Sequence, residues 1–284
     1  MKNAGKRLLC FIYFIVTGAF FIYYLFPSDA VKKYIAFNLN RANPELNITI
    51  DNIKPFFPPS LKLYNVSLYR LNNLLFKAEQ IKIAYGVLSI FRPKTIFFFK
   101  AEAYEGILKG RADIMANKLM INADLSGIQT KDIPVVQNLS NLKISGILNG
   151  KVTYSGNREF AGTVSSKLTL SNCEVEPLTP VFNMESFRFE SIMAKATMNN
   201  QKIQINECVI KGKQADGRIS GSVNLKNPFG KSVLDLTGTI KPHHLLIENL
   251  QNIFSVKTFL KTDKGDITIR LYGDIDQPGF VYRF

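Results

Sequence analysis

Nineteen residues from Leu8 to Phe26 pass without a charge, and no later stretch of the 284-residue chain is uncharged for as long. A helix needs about 20 apolar residues to cross the hydrocarbon core of a bilayer. Twelve of the nineteen are Leu, Ile, Phe or Val; at roughly −0.3 to −0.6 kcal/mol each, they sum to about −4 to −7 kcal/mol in favour of insertion. A cleaved signal peptide fits less well. Its apolar region is shorter and ends in small residues, whereas this run ends in Tyr23-Tyr24-Leu25-Phe26-Pro27. The pattern predicts an uncleaved membrane anchor over 8–26, with Leu8, Phe14, Phe20 and Phe26 facing lipid. Lys2, Lys6 and Arg7 precede it, which places a stub of residues 1–7 in the cytoplasm and the remainder across the membrane.

The 258 residues after the anchor suffice for one large domain or two small ones. Val, Ile, Phe, Tyr and Thr are frequent and Trp is absent, a β-rich composition. The net charge of +14 suits anionic headgroups or acidic partner surfaces, and a location beyond the membrane argues against nucleic acid. No run of five or more like charges exists, so the sequence places no patch. Cys173 and Cys208 lie on the side where a disulfide can form, but free cysteines are commonly buried, and that reading is preferred to a Cys173–Cys208 pair. Cys10 falls within the anchor.

Along the chain, Ser28 or Asp29 reads as a helix cap. Val31, Tyr34, Ile35 and Leu39 recur at helical spacing, which predicts a short amphipathic helix and linker over 27–42. From 43 to 284 the period is two. Ile48-Thr49-Ile50, Leu61-Lys62-Leu63 and Ile81-Lys82-Ile83-Ala84-Tyr85 alternate apolar with polar residues, the mark of strands with one buried face. Ile96-Phe97-Phe98-Phe99 is apolar throughout, as in a strand covered on both faces. A short helix is expected after Asp132-Ile133-Pro134, another between His243 and Leu260, and an edge strand containing Pro278 at the end.

Two phrases repeat. Gly106-Ile107-Leu108-Lys109-Gly110 is matched by Gly146-Ile147-Leu148-Asn149-Gly150 and by Gly217-Arg218-Ile219-Ser220-Gly221, each followed by alternating residues. This predicts bends or bulges where strands approach closely. Leu61-Lys62-Leu63-Tyr64-Asn65 is matched by Leu168-Thr169-Leu170-Ser171-Asn172 and Ile203-Gln204-Ile205-Asn206-Glu207, in which two inward residues precede a turn-prone pair. Together they predict a repetitive, curved antiparallel sheet.

Catalytic chemistry finds no foothold. His243 and His244 are the two histidines; adjacent strand residues point to opposite faces, a poor arrangement for one metal. No phosphate loop, dinucleotide fingerprint or Cys-x-x-Cys is present. The reading is a non-enzyme without metal or cofactor. Its apolar faces either close on each other as a sandwich or line an open groove filled by lipid chains. The candidate lipid-facing residues are Leu63, Ile83, Phe97, Phe99, Ile121 and Ile205.

Phe26-Pro27-Ser28-Asp29-Ala30-Val31-Lys32-Lys33-Tyr34-Ile35, directly after the apolar run, resembles the type II secretion system protein N family. So do the phrases Ile53-Lys54-Pro55, Pro59-Ser60-Leu61-Lys62-Leu63-Tyr64-Asn65-Val66-Ser67-Leu68-Tyr69, Lys143-Ile144-Ser145-Gly146, Ile219-Ser220-Gly221-Ser222-Val223-Asn224-Leu225 and Leu236-Thr237-Gly238-Thr239-Ile240. That family is in turn similar to the AsmA-like group of membrane-anchored β-groove proteins. The resemblance implies a Gram-negative inner-membrane protein, single-pass, with its β domain in the periplasm and no catalytic residues. It implies a structural role linking the inner-membrane platform of the secretion machine toward the outer membrane, with other secretion components as partners. The AsmA-like side implies instead phospholipid binding or transfer along an apolar groove. A stack of about 12 to 14 strands at about 4.8 Å would be only about 55–65 Å long, so either role calls for a partner or an oligomer.

Overall fold

The computed structural model of the chain describes residues 2–56, 60–86, 89, 93–137, 142–157, 161–178, 185–226, 228–244 and 267–283. Helix α1 (Lys2–Tyr24) is followed by α2 (Ser28–Ala42). Then come β1 (Leu46–Phe56), β2 (Ser60–Arg70), β3 (Asn73–Tyr85), β4 (Thr95–Ala103), β5 (Gly106–Met115) and β6 (Lys118–Gln129). A 3-10 turn at Thr130–Asp132 leads into the one-turn helix α3 (Pro134–Gln137). The chain continues through β7 (Leu142–Gly156), β8 (Gly162–Pro177), β9 (Phe187–Asn199), β10 (Lys202–Gly212), β11 (Ala215–Asn224), β12 (Val233–Pro242), β13 (Ile267–Asp274) and β14 (Gln277–Arg283).

All fourteen strands form one antiparallel sheet in sequential order, each strand pairing with its neighbours in the chain. The expectation of a mainly β chain with one repetitive antiparallel sheet and few helices therefore holds. The sandwich does not: β1 and β14 are the two edges of a single sheet, and no second sheet faces it among the described residues. The helix expected between His243 and Leu260 falls almost wholly outside the described residues.

The strands do not run straight. Pairing skips Asp51, Asn65 and Glu79, which lie side by side on β1, β2 and β3. Asn65 adopts φ 48° and its Nδ2 donates to Asp51 Oδ2 at 2.8 Å. Further on, pairing shifts between Leu125 and Ile128 on β6 and between Ser145 and Ile147 on β7. It shifts again between Ile205 and Cys208 on β10, while Asn172 on β8 takes φ 50°. Each irregularity bends its strand. Asn65, Asn172 and Asn206 were expected to start turns. Instead β2, β8 and β10 run through them, because one left-handed or bulged residue inside a ladder reverses the side-chain alternation without ending the pairing.

The N-terminal end of the sheet is sealed. Ile53, Leu63 and Val66 form a buried cluster against which Phe26, Val31 and Ile35 pack. Neither Ser28 nor Asp29 caps α2; Pro27 holds that position without a side-chain bond. Ser28 Oγ instead accepts from Ile53 N–H at 3.2 Å, and Lys32 Nζ donates to the Asp51 carbonyl at 2.7 Å. Both bonds fix the helix to β1.

Two findings bear on the expected anchor. Among the described residues no helix is long and apolar enough to cross a membrane. α1 stops at Tyr24, and Phe26 turns onto the sheet because the Ile53 cluster offers it an apolar surface. Phe14 and Phe20 are 79% and 62% exposed on α1; the Leu8 side chain lies outside the described set.

Candidate lipid-facing groove

Paired residues of an antiparallel ladder share a face, so the register traces rows of side chains across the sheet. One row starts with Ile53, Leu63, Ile81, Ala101 and Leu108. It continues through Leu125, Gly150, Leu168 and Ala194, and ends with Cys208, Ile219, Gly238, Ile269 and Tyr282. Two residues along the strands, a second row passes Ile83, Phe99, Gly110 and Ala123, then Ile205, Gly221, Leu236 and Leu271. A third passes Tyr85, Phe97, Ala112, Ile121 and Tyr154. The first row carries no charged residue on any of the fourteen strands. The three rows span about 14 Å along the strands and about 62 Å across them.

All six sequence candidates lie in these rows. Leu63 is in the first, Ile83, Phe99 and Ile205 in the second, Phe97 and Ile121 in the third. Leu63 separates from the others: at 4% exposure beneath α2 it is ordinary core. The remaining five are half-buried. Phe97 meets Tyr85 edge to face, ring centroids 5.5 Å apart. Phe98, expected to be covered as well, is 47% exposed on the opposite face with the Arg111 guanidinium above it.

Small residues that the list of candidates missed shape the same face. Gly150 and Gly221 have φ +151° and +138°. A Cβ on Gly150 would strike the Lys167 carbonyl oxygen, and one on Gly221 the Asp235 carbonyl oxygen. Hence the second glycine of each repeated phrase sits where two backbones close in, opposite large neighbours: Leu125 and Leu168 flank Gly150, Ile205 and Leu236 flank Gly221. The repeat was the signal in the sequence; Ala101, Ala112 and Ala194 had none.

Nothing among the described residues forms a layer over this face beyond α2 at β1 and α3 near β3 and β7. Yet exposure still alternates along β12 and β13, half-buried for the apolar side chains and exposed for the polar ones. With no covering layer there among the described residues, that difference fits neighbours on the same face crowding together. The apolar side is therefore the more sheltered face of the sheet, and most of it carries no covering layer among the described residues.

Polar chemistry is sparse. Among the described residues no group of three or more His, Cys, Asp or Glu could hold a metal ion. His243 Nδ1 lies 3.1 Å from the Lys213 carbonyl, and Nε2 lies 3.4 Å from Asp216 Oδ2. Asp113 is the buried carboxylate: burial pushes its pKa up, but Arg111 Nε at 2.6 Å and Lys94 Nζ at 3.0 Å outweigh that and hold it below the usual range. Cys173 and Cys208 are free, not paired. They lie on β8 and β10 with β9 between them, about 9.6 Å apart in the sheet direction alone, beyond the reach of a disulfide. Burial raises both thiols above their ordinary pKa.

No family model, no curated protein and no solved structure matches the chain.

Proposed function

We propose that this protein binds phospholipid acyl chains along the apolar trough of its sheet and carries them beside a membrane. One observation supports this above all: apolar and glycine rows continue over fourteen strands with no covering layer among the described residues. Leaving so much apolar surface to water is costly at about 25 cal/mol per Å². Exposed apolar areas of this extent mark sites for a partner, a lipid or a membrane. A trough about 62 Å long has room for several acyl chains end to end, since one leaflet is about 15 Å deep. The absence of any charged residue from the first row suits acyl chains better than a charged solute.

In this reading the uncharged run from Leu8 to Phe26, and not the described part of α1 alone, attaches the molecule to the bacterial inner membrane, with the N-terminus cytoplasmic and the sheet in the periplasm. Large apolar side chains are exposed on α1, Phe14 and Phe20 among them, and such a helix needs lipid or a partner around it. α2 closes the trough next to that attachment. The secretion-machine role, with other secretion components as partners, has the sequence phrases as its support, and nothing in the trough calls for it.

The test is photocrosslinking in cells. A benzophenone amino acid replaces Phe97, Ile121 or Ile205 in the full chain, and Lys109 or Lys167 as controls on the outer face. Phospholipid adducts at the three inner positions and not at the two outer ones are expected. Equal labelling of both faces, or none inside, would refute the proposal.

A further inference from the structure

The face opposite the trough carries a line of lysines that the sequence does not reveal. Lys54 pairs with Lys62, Lys62 with Lys82, Lys82 with Lys100 and Lys100 with Lys109. Five consecutive strands thus place a lysine at the same level. The line passes through Asp124 on β6 and resumes with Lys151, Lys167 and Lys195. It ends at Glu207 on β10. The eight lysines are 8 to 42 residues apart along the chain, but the strand spacing sets neighbours in the ladder about 4.8 Å apart, with one step of about 9.6 Å across Asp124. Ten strands make a row about 43 Å long, on the face opposite the apolar rows.

Like charges directly opposite each other destabilise a sheet. Solubility needs lysines on this face but not in register. Compensation within the row is slight: Asp124 reaches Lys151 at 3.6 Å, Glu207 reaches Lys195 at 2.7 Å, and Glu102 reaches Lys100 at 2.7 Å. Lys62 and Lys82 share the ring of Phe56, at 4.2 and 4.4 Å from its centroid. Lys54, Lys109 and Lys167 are exposed.

We infer that this row docks the acidic face of an elongated partner protein. Its shape selects that occupant. On β7 and β8 the residues beside the row are neutral, Asn149, Thr153, Ser165 and Thr169, so the charge forms a line and not a field. A bilayer surface offers charge in two dimensions, of which a row one lysine wide would use only a line. A helix with carboxylates on one side offers one every turn, about 5.4 Å, close to the strand spacing. The inference is independent of the lipid reading, since the two faces share no side chains.

The experiment uses the full chain reconstituted in phosphatidylcholine vesicles, with fluorescent poly-L-glutamate as the probe. One variant changes Lys62, Lys82, Lys100 and Lys109 to Gln. A second removes the same charge off the row, at Lys77, Lys118, Lys202 and Lys241. A third places Arg at the four row positions. About tenfold weaker binding is expected for the first, from the loss of four charge contacts of modest strength. The second and third should stay within about twofold. Equal losses in the first two variants would show diffuse charge and overturn the inference. So would absence of poly-L-glutamate binding, or row-dependent tethering to phosphatidylglycerol vesicles in its place. Retained circular dichroism of the first variant separates lost docking from lost folding.

Discussion

An aspartate at Ile205 and one at Leu63 should have very different consequences, although both positions alternate identically in sequence. Leu63 is 4% exposed, flanked in its row by Ile53 and Ile81 and packed in the cluster that α2 covers. Removing a buried leucine costs about 2–5 kcal/mol, and an unpaired carboxylate in its place adds several more. The sum approaches the whole stability of a domain, about 5–15 kcal/mol, so Leu63→Asp should not fold. Ile205 is half-buried between Ala196 and Gly221, with no layer above it among the described residues. Half the transfer energy of an isoleucine is about 1–1.5 kcal/mol, and its aspartate keeps water on the open side. Ile205→Asp should therefore lose only about 1–2 kcal/mol. The assay is urea titration of the full chain in neutral detergent, followed by circular dichroism. Comparable collapse of both variants would mean that the trough is a closed core, and the lipid reading would fall with it.

The glycines of one repeated phrase should differ: Gly221→Ala costs about 2–4 kcal/mol through its φ and its clash with β12, whereas Gly217→Ala, whose nearest contact would be 3.3 Å, costs under about 1 kcal/mol. Thermal melts of the two variants decide this. At Asn172, Gly should be neutral within about 0.5 kcal/mol and Val should cost about 1–3 kcal/mol, because φ 50° excludes a β-branched side chain. Asp113→Asn should destabilise by about 1–2 kcal/mol at pH 7. Because the folded pKa is depressed, Asp113 contributes fully above its unfolded value of about 3.9 and progressively less as pH falls through the folded value. The gap between Asp113→Asn and the unsubstituted chain, read from urea midpoints, should accordingly shrink toward pH 3. Denatured without reductant, the chain should take up three alkyl labels by mass spectrometry, and two fewer would reveal the disulfide that the geometry forbids.

The sheet itself was legible because a period of two is a local property: Ile81-Lys82-Ile83 and Leu168-Thr169-Leu170 each declare an inner and an outer side without reference to the rest of the chain. The glycine phrases likewise located the close strand approaches at Gly150 and Gly221. Local patterns could not separate turn from bulge at Asn65 and Asn172, since the same left-handed residue serves both and only continued pairing on each side distinguishes them.

What the alternation left open was which strands adjoin and at what register, because hydrogen-bond partners are chosen by the whole sheet. That choice made one sheet rather than two, put Leu63 beneath α2 while leaving Ile205 open, and kept Cys173 from Cys208. It also aligned Lys54, Lys62, Lys82, Lys100 and Lys109, which the sequence shows only as dispersed charge. Periodicity along the chain determined what each strand faces; pairing across chains of residues distant in sequence decided what those faces add up to.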